Sequence, residues 1–247
     1  MNTDDENPPD TPAGGKCGAP LRSFGRRRGR KLSARKTSLL TGGLERLKLD
    51  LSQPAGEDGL AALFADPIEE TWLEIGFGAG EHLIWQAGHY PHVGIAGAEP
   101  YVNGVVAALS GLEAQELQGR VRFHADDVHP LLDWLPPASL SRAFMLFPDP
   151  WPKKRHRARR LFAAPLLTAM ARALRPGAEF RFASDIADYA EAAIEHALHH
   201  PAFELALTFT SANRDTLPDW PITRYETKAM REGRSSTFIV LKRRPGA

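Results

Sequence analysis

The sequence predicts an α/β domain with a largely parallel sheet and helices on both faces. From residue 71 onward, short apolar segments alternate with longer segments of helical pattern, which is typical of this fold class. A glycine-rich turn follows the first apolar segment, and Glu99 ends the second. Because ligands of such sheets bind beyond the carboxyl ends of the strands, these two features indicate where a site would lie.

Seven segments have the pattern of strands. They are residues 71–76, 93–99, 121–125, 142–147, 179–183, 203–209 and 237–241. The predicted helices start near Glu81, extend to about Leu117 after the second strand, reach about Leu174 after the fourth, and cover 186–199. Residues 175–177, Arg-Pro-Gly, predict a turn, and residues 223–226 a polar loop before the last strand.

The length of 247 residues allows one sizeable domain with tails. Residues 1–20 are rich in proline, glycine and acidic side chains, so we expect them to be disordered. The predicted division is a tail with a basic arm over residues 1–36 and a catalytic domain over 37–247. The net charge of +1 does not indicate a nucleic-acid partner, so the distribution of charge along the chain decides more.

Targeting signals and cysteines indicate the compartment. No run of 18 apolar residues is present, which predicts no membrane span. The acidic N-terminus does not have the pattern of a secretory signal. Cys17 is the single cysteine and has no disulfide partner within the chain. A cytoplasmic protein is the simplest expectation.

The basic arm, residues 22–36, contains eight Arg or Lys residues and no acidic one. Such a segment is either a solvated tail or localisation signal, or an arm that contacts phosphates. Its position in the chain does not separate these alternatives.

The glycine turn has Gly76, Gly78 and Gly80 at alternate positions directly after the first strand. Glycines there let the backbone turn sharply and approach a ligand closely. Glu99 follows Gly80 by nineteen residues, at a place where a carboxylate can accept hydrogen bonds from both ribose hydroxyls of a nucleoside. The combination of strand, turn, helix and acid predicts a nucleoside site.

The charge next to the turn favours one nucleoside over another. Glu74 lies two residues before the first glycine, where it would oppose a pyrophosphate but suit an ammonium group. S-adenosylmethionine has such a group and a positive sulfonium, so we prefer this cofactor to a nicotinamide dinucleotide. Asp126, after the third strand, could accept a hydrogen bond from the adenine amino group, and Asp127 competes with it for this role.

The segment after the fourth strand is the most unusual of the chain. Pro148 and Pro150 stiffen the backbone around Asp149, whose carboxylate could accept hydrogen bonds from a base, while Trp151 could stack on a base or pack in the core. Residues 153–160 then contain six Arg or Lys and one His. They suit a phosphate backbone or form a solvated face.

Two polar segments lie at the same predicted edge. Ser184 and Asp185 follow the fifth strand, and residues 223–226 precede the last. Both could be ordinary loops, since Ser184 or Asp185 could cap the next helix. A metal site at His196, His199 and His200 is not expected, because no carboxylate or cysteine is placed obviously with them.

Several motifs together resemble the bacterial tRNA (guanine-N7-)-methyltransferases. They are LEIGFGAGEHL (73–83), GAEP (97–100), FPDPWPKKRHRARRL (147–161), SDIADYA (184–190), TRYETK (223–228) and, in the arm, RSFGRRRGR (22–30). The resemblance spans about residues 21–244. It implies a Rossmann-like class I fold with a seven-stranded, mostly parallel sheet, and formation of 7-methylguanosine at position 46 in the variable loop of tRNA.

The resemblance also implies roles for single residues. Glu74, Glu99, Asp126 and Asp149 look like cofactor-site residues, together with the three glycines of the turn, and Asp149 looks like the catalytic residue. The residues that look like tRNA contacts are Lys153, Asp185, Thr223, Arg224, Tyr225 and Glu226. No metal and no membrane are implied, and monomer and homodimer both stay open.

Two other classes of function are compatible with parts of the pattern. A small-molecule methyltransferase would use the same cofactor but would need neither basic segment. A non-catalytic RNA-binding protein with this fold would need no intact glycine turn. A nicotinamide oxidoreductase is disfavoured by Glu74.

Overall fold

A seven-stranded sheet forms the centre of the computed structural model, which describes residues 24–56, 60–216 and 219–246, with the backbone alone at 214–216. The strands are β1 Glu70–Ile75, β2 Val93–Ala98, β3 Val121–His124, β4 Leu140–Leu146, β5 Leu174–Ser184, β6 Phe203–Thr210 and β7 Thr237–Arg243. Their order is β3-β2-β1-β4-β5-β7-β6. Strands β1 to β5 pair in parallel, and β7 is antiparallel to both β5 and β6. All seven predicted strands are confirmed.

Four of the α-helices in the described ranges match the four predicted helical segments, and the other four were not predicted as helices. The α-helices are α1 Ala34–Ser38, α2 Leu44–Leu47, α3 Glu81–His89, α4 Val102–Gln115, α5 Val128–Trp134, α6 Ala164–Ala173, α7 Ala187–His199 and α8 Arg224–Arg231. A π-helical turn, Leu39–Gly43, joins α1 to α2. Segments of 3-10 helix occur at Ala61–Leu63, Gln118–Arg120, Lys154–Arg159 and Ser211–Thr216.

The core has two apolar layers, one on each face of the sheet. Leu73 and Ile75 of β1 pack with α5, α6 and α7 in one cluster. Trp72 packs with α3 and α4 in the other. Because successive side chains of a strand point to opposite faces, these helices cover both faces, and the predicted α/β fold class is confirmed.

Three local predictions were wrong or incomplete. Residues 223–226 were predicted as a loop, but Thr223 is the N-cap of α8 and the following residues are helical. Where a helix was predicted directly after Pro150, a six-residue 3-10 segment occurs instead, and α6 begins only at Ala164. Helix α5 was not predicted; it has Pro130 in its first turn, where proline is tolerated.

The predicted turn at 175–177 is a bulge within β5. Leu174 pairs with Leu140, yet the next pair of this ladder joins Glu179 to Arg142, so the residues between loop out of register. Gly177 has a φ of 80° there, in the left-handed region that glycine adopts without strain. The Arg-Pro-Gly segment thus interrupts the regular backbone, as predicted, but strand β5 continues on both sides of it.

The N-terminal part of the described chain lies on the domain. The expected disorder of residues 1–20 concerns residues outside the described ranges. The predicted boundary after residue 36 falls inside α1, and residues 27–30 already bond to α4 through Arg27, Gly29 and Arg30. None of the helices in the described ranges is long and apolar enough to cross a bilayer.

Candidate active site

The loops after β1 to β4 surround a cavity of about 390 Å³ at the carboxyl edge of the sheet. This volume is in the range of small-molecule sites. Six residues predicted for the site line it: Gly76, Gly78, Glu99, Asp126, Asp149 and Tyr225. A neighbouring cavity of about 20 Å³ is lined by Glu74, Thr223 and Arg224. The predicted residues that line neither cavity are Gly80, Lys153, Asp185 and Glu226.

The three glycines of the turn have different tasks. All have left-handed backbone, with φ of 73°, 56° and 80° at Gly76, Gly78 and Gly80. An added Cβ at Gly80 would lie 2.7 Å from the Cβ of Ala108, so this glycine allows α3 to pack closely on α4. At Gly76 an added Cβ would meet no atom of the described residues within 4 Å, which leaves the backbone there open to a ligand.

Glu99 ties the turn to the start of α4. One carboxylate oxygen accepts a hydrogen bond from Gly78 N at 2.7 Å and the other from Tyr101 N at 2.8 Å. The residue is only 7% exposed. Burial raises the pKa of the Glu99 carboxyl, and the two backbone hydrogen bonds oppose that rise. Glu99 is therefore a structural part of the turn and a wall of the cavity.

Glu74 is buried under the turn and belongs to a hydrogen-bonded row. Its carboxylate lies 2.8 Å from His82 Nδ1, and His82 Nε2 lies 3.0 Å from Gln86 Nε2. Gln86 Nε2 also donates to the carbonyl of Asp219. Since this amide group must donate twice, His82 Nε2 accepts, and the His82 proton is on Nδ1, directed at Glu74. The arrangement gives Glu74 a fixed partner on one side.

The two neighbouring aspartates after β3 are distinguished by their contacts. Asp127 is the N-cap of α5 and accepts a hydrogen bond from His129 N at 3.0 Å. Asp126 lines the cavity and forms an ion pair with Arg27 of the arm. Burial raises the pKa of the Asp126 carboxyl, but the hydrogen bond from Asp127 N and the Arg27 charge outweigh it and lower that pKa. Asp126 therefore lines the cavity, whereas Asp127 holds the start of α5.

Asp149 lies on a strained loop at the cavity wall. Phe147 and Trp151, on either side of it, have φ of 52° and 41°, a region that non-glycine residues rarely adopt. Among the residues that the structure describes, none donates a hydrogen bond to the Asp149 carboxylate. The surrounding groups remove water and raise its pKa. Asp149 thus presents a free acceptor to the cavity.

The basic arm forms part of the cavity wall, which its composition did not predict. Phe24, Gly25 and Arg26 line the cavity. An added Cβ at Gly25 would lie 3.0 Å from the Asp149 carboxylate, so the arm passes closely over it. The Phe24 ring meets the Trp151 ring edge to face at 6.5 Å.

Arg159 is a site residue that the sequence analysis did not single out. Its guanidinium lies over the rings of both Phe24 and Trp151, at 5.4 Å and 4.9 Å. Only its membership of the basic run at 153–160 pointed to it. Through these contacts the arm and the second basic segment meet at the mouth of the cavity.

The predicted tRNA contacts divide into exposed and buried residues. Arg224 and Tyr225 are exposed, and the Tyr225 ring stacks with Phe147 at 6.3 Å between centroids. Thr223 and Glu226 are buried, and Thr223 Oγ1 accepts a hydrogen bond from Glu226 N at 3.3 Å.

Lys153 and Asp185 lie outside both cavities. Lys153 is exposed at the start of the 3-10 turn. The Asp185 carboxylate accepts two hydrogen bonds from Arg234, at 2.9 Å and 2.7 Å. The described ranges contain no group of three or more His, Cys, Asp or Glu side chains that could hold a metal ion.

Sequence comparisons match this chain to methyltransferases. A family model described as "Putative methyltransferase" matches residues 69–239. A tRNA (guanine-N(7)-)-methyltransferase of Brucella melitensis is 42% identical, over 97% of this chain and 99% of the relative. One of Rhizobium meliloti is 44% identical, over 89% of this chain and 94% of the relative.

Comparisons of structure establish the fold alone. TrmN from Thermus thermophilus is similar with a TM-score of 0.52 at 17% identity, over 74% of this chain and 47% of that one. The [4+2]-cyclase SpnF is similar with a TM-score of 0.51 at 14% identity, over 86% and 93%. Because a fold alone does not determine an activity, the sequence relatives decide the family. This chain belongs to the tRNA (guanine-N(7)-)-methyltransferase family.

Proposed function

We propose that this chain transfers a methyl group from S-adenosylmethionine to N7 of a guanosine in tRNA, at position 46 of the variable loop, in the cytoplasm. The observation that supports this most is the meeting of two basic segments at the mouth of one cavity. The walls of that cavity include the glycine turn, Glu99 and Asp149. A small-molecule enzyme would need the cavity but neither basic segment.

The residues at the cavity fit the proposed cofactor. The open backbone at Gly76 lets a ligand approach the turn. Each Glu99 oxygen accepts one backbone hydrogen bond and has capacity for a second, which suits the ribose hydroxyls. Val128 and Met145 give an apolar wall for the adenine ring, and Asp126 lies in the same wall.

Glu74 would oppose the positive charge of the amino acid portion of the cofactor. It is 3% exposed and lines the small neighbouring cavity, next to Gly76. His82 donates to its carboxylate from one side, which fixes the side chain and leaves its remaining acceptor capacity for a ligand. The carboxylate is thus oriented before a ligand arrives.

The bound cofactor would supply an electrophilic methyl group on a positive sulfonium. Guanine N7 has an in-plane lone pair and no proton at neutral pH, so the protein needs no general base to activate it. Asp149 would accept a hydrogen bond from the N–H groups of the base and offset the positive charge that develops on the ring. Alignment of the two reactants then accounts for most of the rate.

The tRNA would contact the exposed cations around the mouth. The exposed cations of the two basic segments include Arg26, Arg28 and Lys153. Phosphate contacts spread over many such groups would give most of the affinity for tRNA. Tyr225 and Arg224 would contact the substrate next to the cavity. Thr223 and Glu226, being buried, would act by holding α8 in place. Asp185 would act through Arg234, which it already binds.

The test is methylation of an unmodified tRNA transcript with labelled cofactor, followed by mapping of the modified nucleotide. We expect one 7-methylguanosine at position 46 and none in a transcript with adenosine there. Equally efficient methylation of free guanosine would favour a small-molecule enzyme. Calorimetric heat with tRNA but none with cofactor would favour an RNA-binding protein.

The role of Asp149 needs a separate measurement. In single-turnover methylation with cofactor and tRNA both saturating, Asp149→Ala should lower the rate far more than it lowers tRNA affinity. A near-normal rate would leave Asp149 as a residue of the loop backbone alone.

A further inference from the structure

The loop that presents Asp149 has few hydrogen bonds of its own. Residues 148, 150 and 152 are prolines, which have no backbone N–H to donate. Within the described part of the chain, residues 148–152 make one hydrogen bond to the rest of the domain. It runs from Arg160 Nε to the Pro150 carbonyl oxygen at 3.0 Å.

That hydrogen bond acts on the most strained peptide of the loop. The Pro150 carbonyl belongs to the peptide that enters Trp151, whose φ is 41°. Left-handed backbone at a tryptophan persists only where its surroundings hold it. A fixed donor on the Pro150 carbonyl is such a restraint, because it sets the orientation of this peptide plane.

The Arg160 side chain is itself held by α7. Its Nη2 donates to both carboxylate oxygens of Asp188, at 3.0 Å and 2.9 Å, and its Nη1 to the Asp188 carbonyl at 3.3 Å. The guanidinium also lies 4.6 Å from the centre of the buried Tyr189 ring. Arg160 is 8% exposed, and few orientations of its guanidinium keep Nη2 on the carboxylate and Nη1 on the carbonyl of the same residue. Helix α7 therefore fixes the arginine, and the arginine fixes the loop.

We propose that Arg160 and Asp188 are positioning residues for methyl transfer, which hold the peptide between Pro150 and Trp151 so that Asp149 keeps its place at the cavity wall. The inference depends on the proposed role of Asp149. Neither residue lines the cavity, so neither contacts the reacting groups. Lysine cannot replace Arg160, because its single ammonium cannot bond to the Pro150 carbonyl and both Asp188 oxygens in the same fork geometry.

The experiment compares Arg160→Lys and Asp188→Asn with Arg172→Lys. Arg172 also donates to backbone carbonyls, those of Leu132 and Leu135, but it lies away from the cavity. Single-turnover methylation is measured with cofactor and tRNA saturating. We expect rates lowered about 10-fold to 100-fold in the first two variants, near-normal rates in the control, and affinities for cofactor and tRNA within about threefold of the parent.

Two further readouts separate positioning from loss of stability. Urea unfolding shows whether each variant is folded. If Arg160→Lys is not, the rate of folded Asp188→Asn, in which Arg160 loses its charged partner, is used instead, and a rate within twofold of the parent there overturns the proposal. The Trp151 signal, obtained as the near-ultraviolet circular dichroism difference from Trp151→Phe, should change in folded Arg160→Lys and stay unchanged in Arg172→Lys. A rate within twofold of the parent in a folded Arg160→Lys variant overturns the proposal.

A double-mutant cycle separates this inference from the role of Asp149. If Arg160 acts through Asp149, Arg160→Lys should have almost no further effect in an Asp149→Ala background. An undiminished effect there overturns the proposal. If Asp149→Ala alone has a normal rate, the proposed role of Asp149 fails, and the Trp151 signal still shows whether Arg160 holds the loop.

Discussion

Substitution of Glu99 by glutamine should loosen the glycine turn and weaken cofactor binding at the same time. The two oxygens of Glu99 accept from two backbone donors, Gly78 N at 2.7 Å and Tyr101 N at 2.8 Å. A glutamine side chain has one accepting oxygen and one donating NH₂ group. One of the two backbone N–H groups would therefore face another donor in a buried place.

The magnitude follows from these contacts. A buried donor that loses its partner costs about 1–3 kcal/mol, and the other hydrogen bond loses its charge assistance, roughly 1 kcal/mol more. Burial raises the pKa of the Glu99 carboxyl, because the charged form has lost part of its hydration. A neutral glutamine does not have this desolvation cost. We therefore expect a loss toward the lower end, about 2 kcal/mol, or roughly 30-fold in cofactor affinity.

The assay is a calorimetric titration of each variant with S-adenosylmethionine. Glu113→Gln is the matched control, because Glu113 lies on the exposed side of α4 and pairs with Arg46 at 3.7 Å. Affinity for tRNA should stay within about threefold of the parent in both variants, since spread phosphate contacts dominate it. Cofactor affinity of Glu99→Gln within threefold of the parent would refute the role of Glu99, and an equal loss of tRNA affinity would indicate general unfolding.

Three other predictions follow from the site and its supports. Because the cavity wall raises the pKa of Asp149, the methylation rate at saturation should fall as pH decreases through a value above the ordinary aspartate pKa of about 3.9. Asp149→Asn should not show this fall, and a parent rate that stays constant down to about pH 3.9 would contradict the role of the Asp149 carboxylate. Deletion of residues 1–31 should raise the KM for tRNA and make that KM less dependent on salt. An unchanged salt dependence would contradict phosphate contacts by the basic arm. Gly80→Ala should lower the free energy of unfolding by about 2–4 kcal/mol, because φ is 80° and the added Cβ would lie 2.7 Å from the Cβ of Ala108. Gly56→Ala, where the added Cβ has no described atom within 4 Å, should change it by less than about 0.5 kcal/mol, and equal effects in urea unfolding would disprove the steric argument.

The sheet and the residues at its carboxyl edge could be predicted from sequence because they depend on local pattern. Apolar runs and the glycine turn define the strand ends, and a parallel sheet brings those ends together. The sequence pattern therefore indicated three candidate site residues without coordinates: Gly76, Glu99 and Asp149. The choice between Asp126 and Asp127 needed coordinates, because only the contacts show that Asp127 caps α5.

The elements that were missed are short. Helix α8 has eight residues, four of them charged, so it contains few apolar side chains, although Thr223 and Glu226 have the spacing of a capping box. Helix α5 has seven residues, one of them Pro130. The position of the arm was not predictable, because its partners, among them Asp126, Trp151 and the first turn of α4, are far from it in sequence.

The first turn of α4 connects features that are far apart in sequence. Tyr101 N bonds to Glu99, and Val102 N donates to the carbonyl of Arg27 in the arm. Asn103 exchanges hydrogen bonds with Gly29 N and the Arg30 carbonyl, and Gly104 would bring an added Cβ to 2.4 Å from the Gly78 carbonyl oxygen. Four consecutive residues thus contact both the glycine turn and the arm, so a substitution that shifts the start of α4 would displace this cavity wall and the arm together.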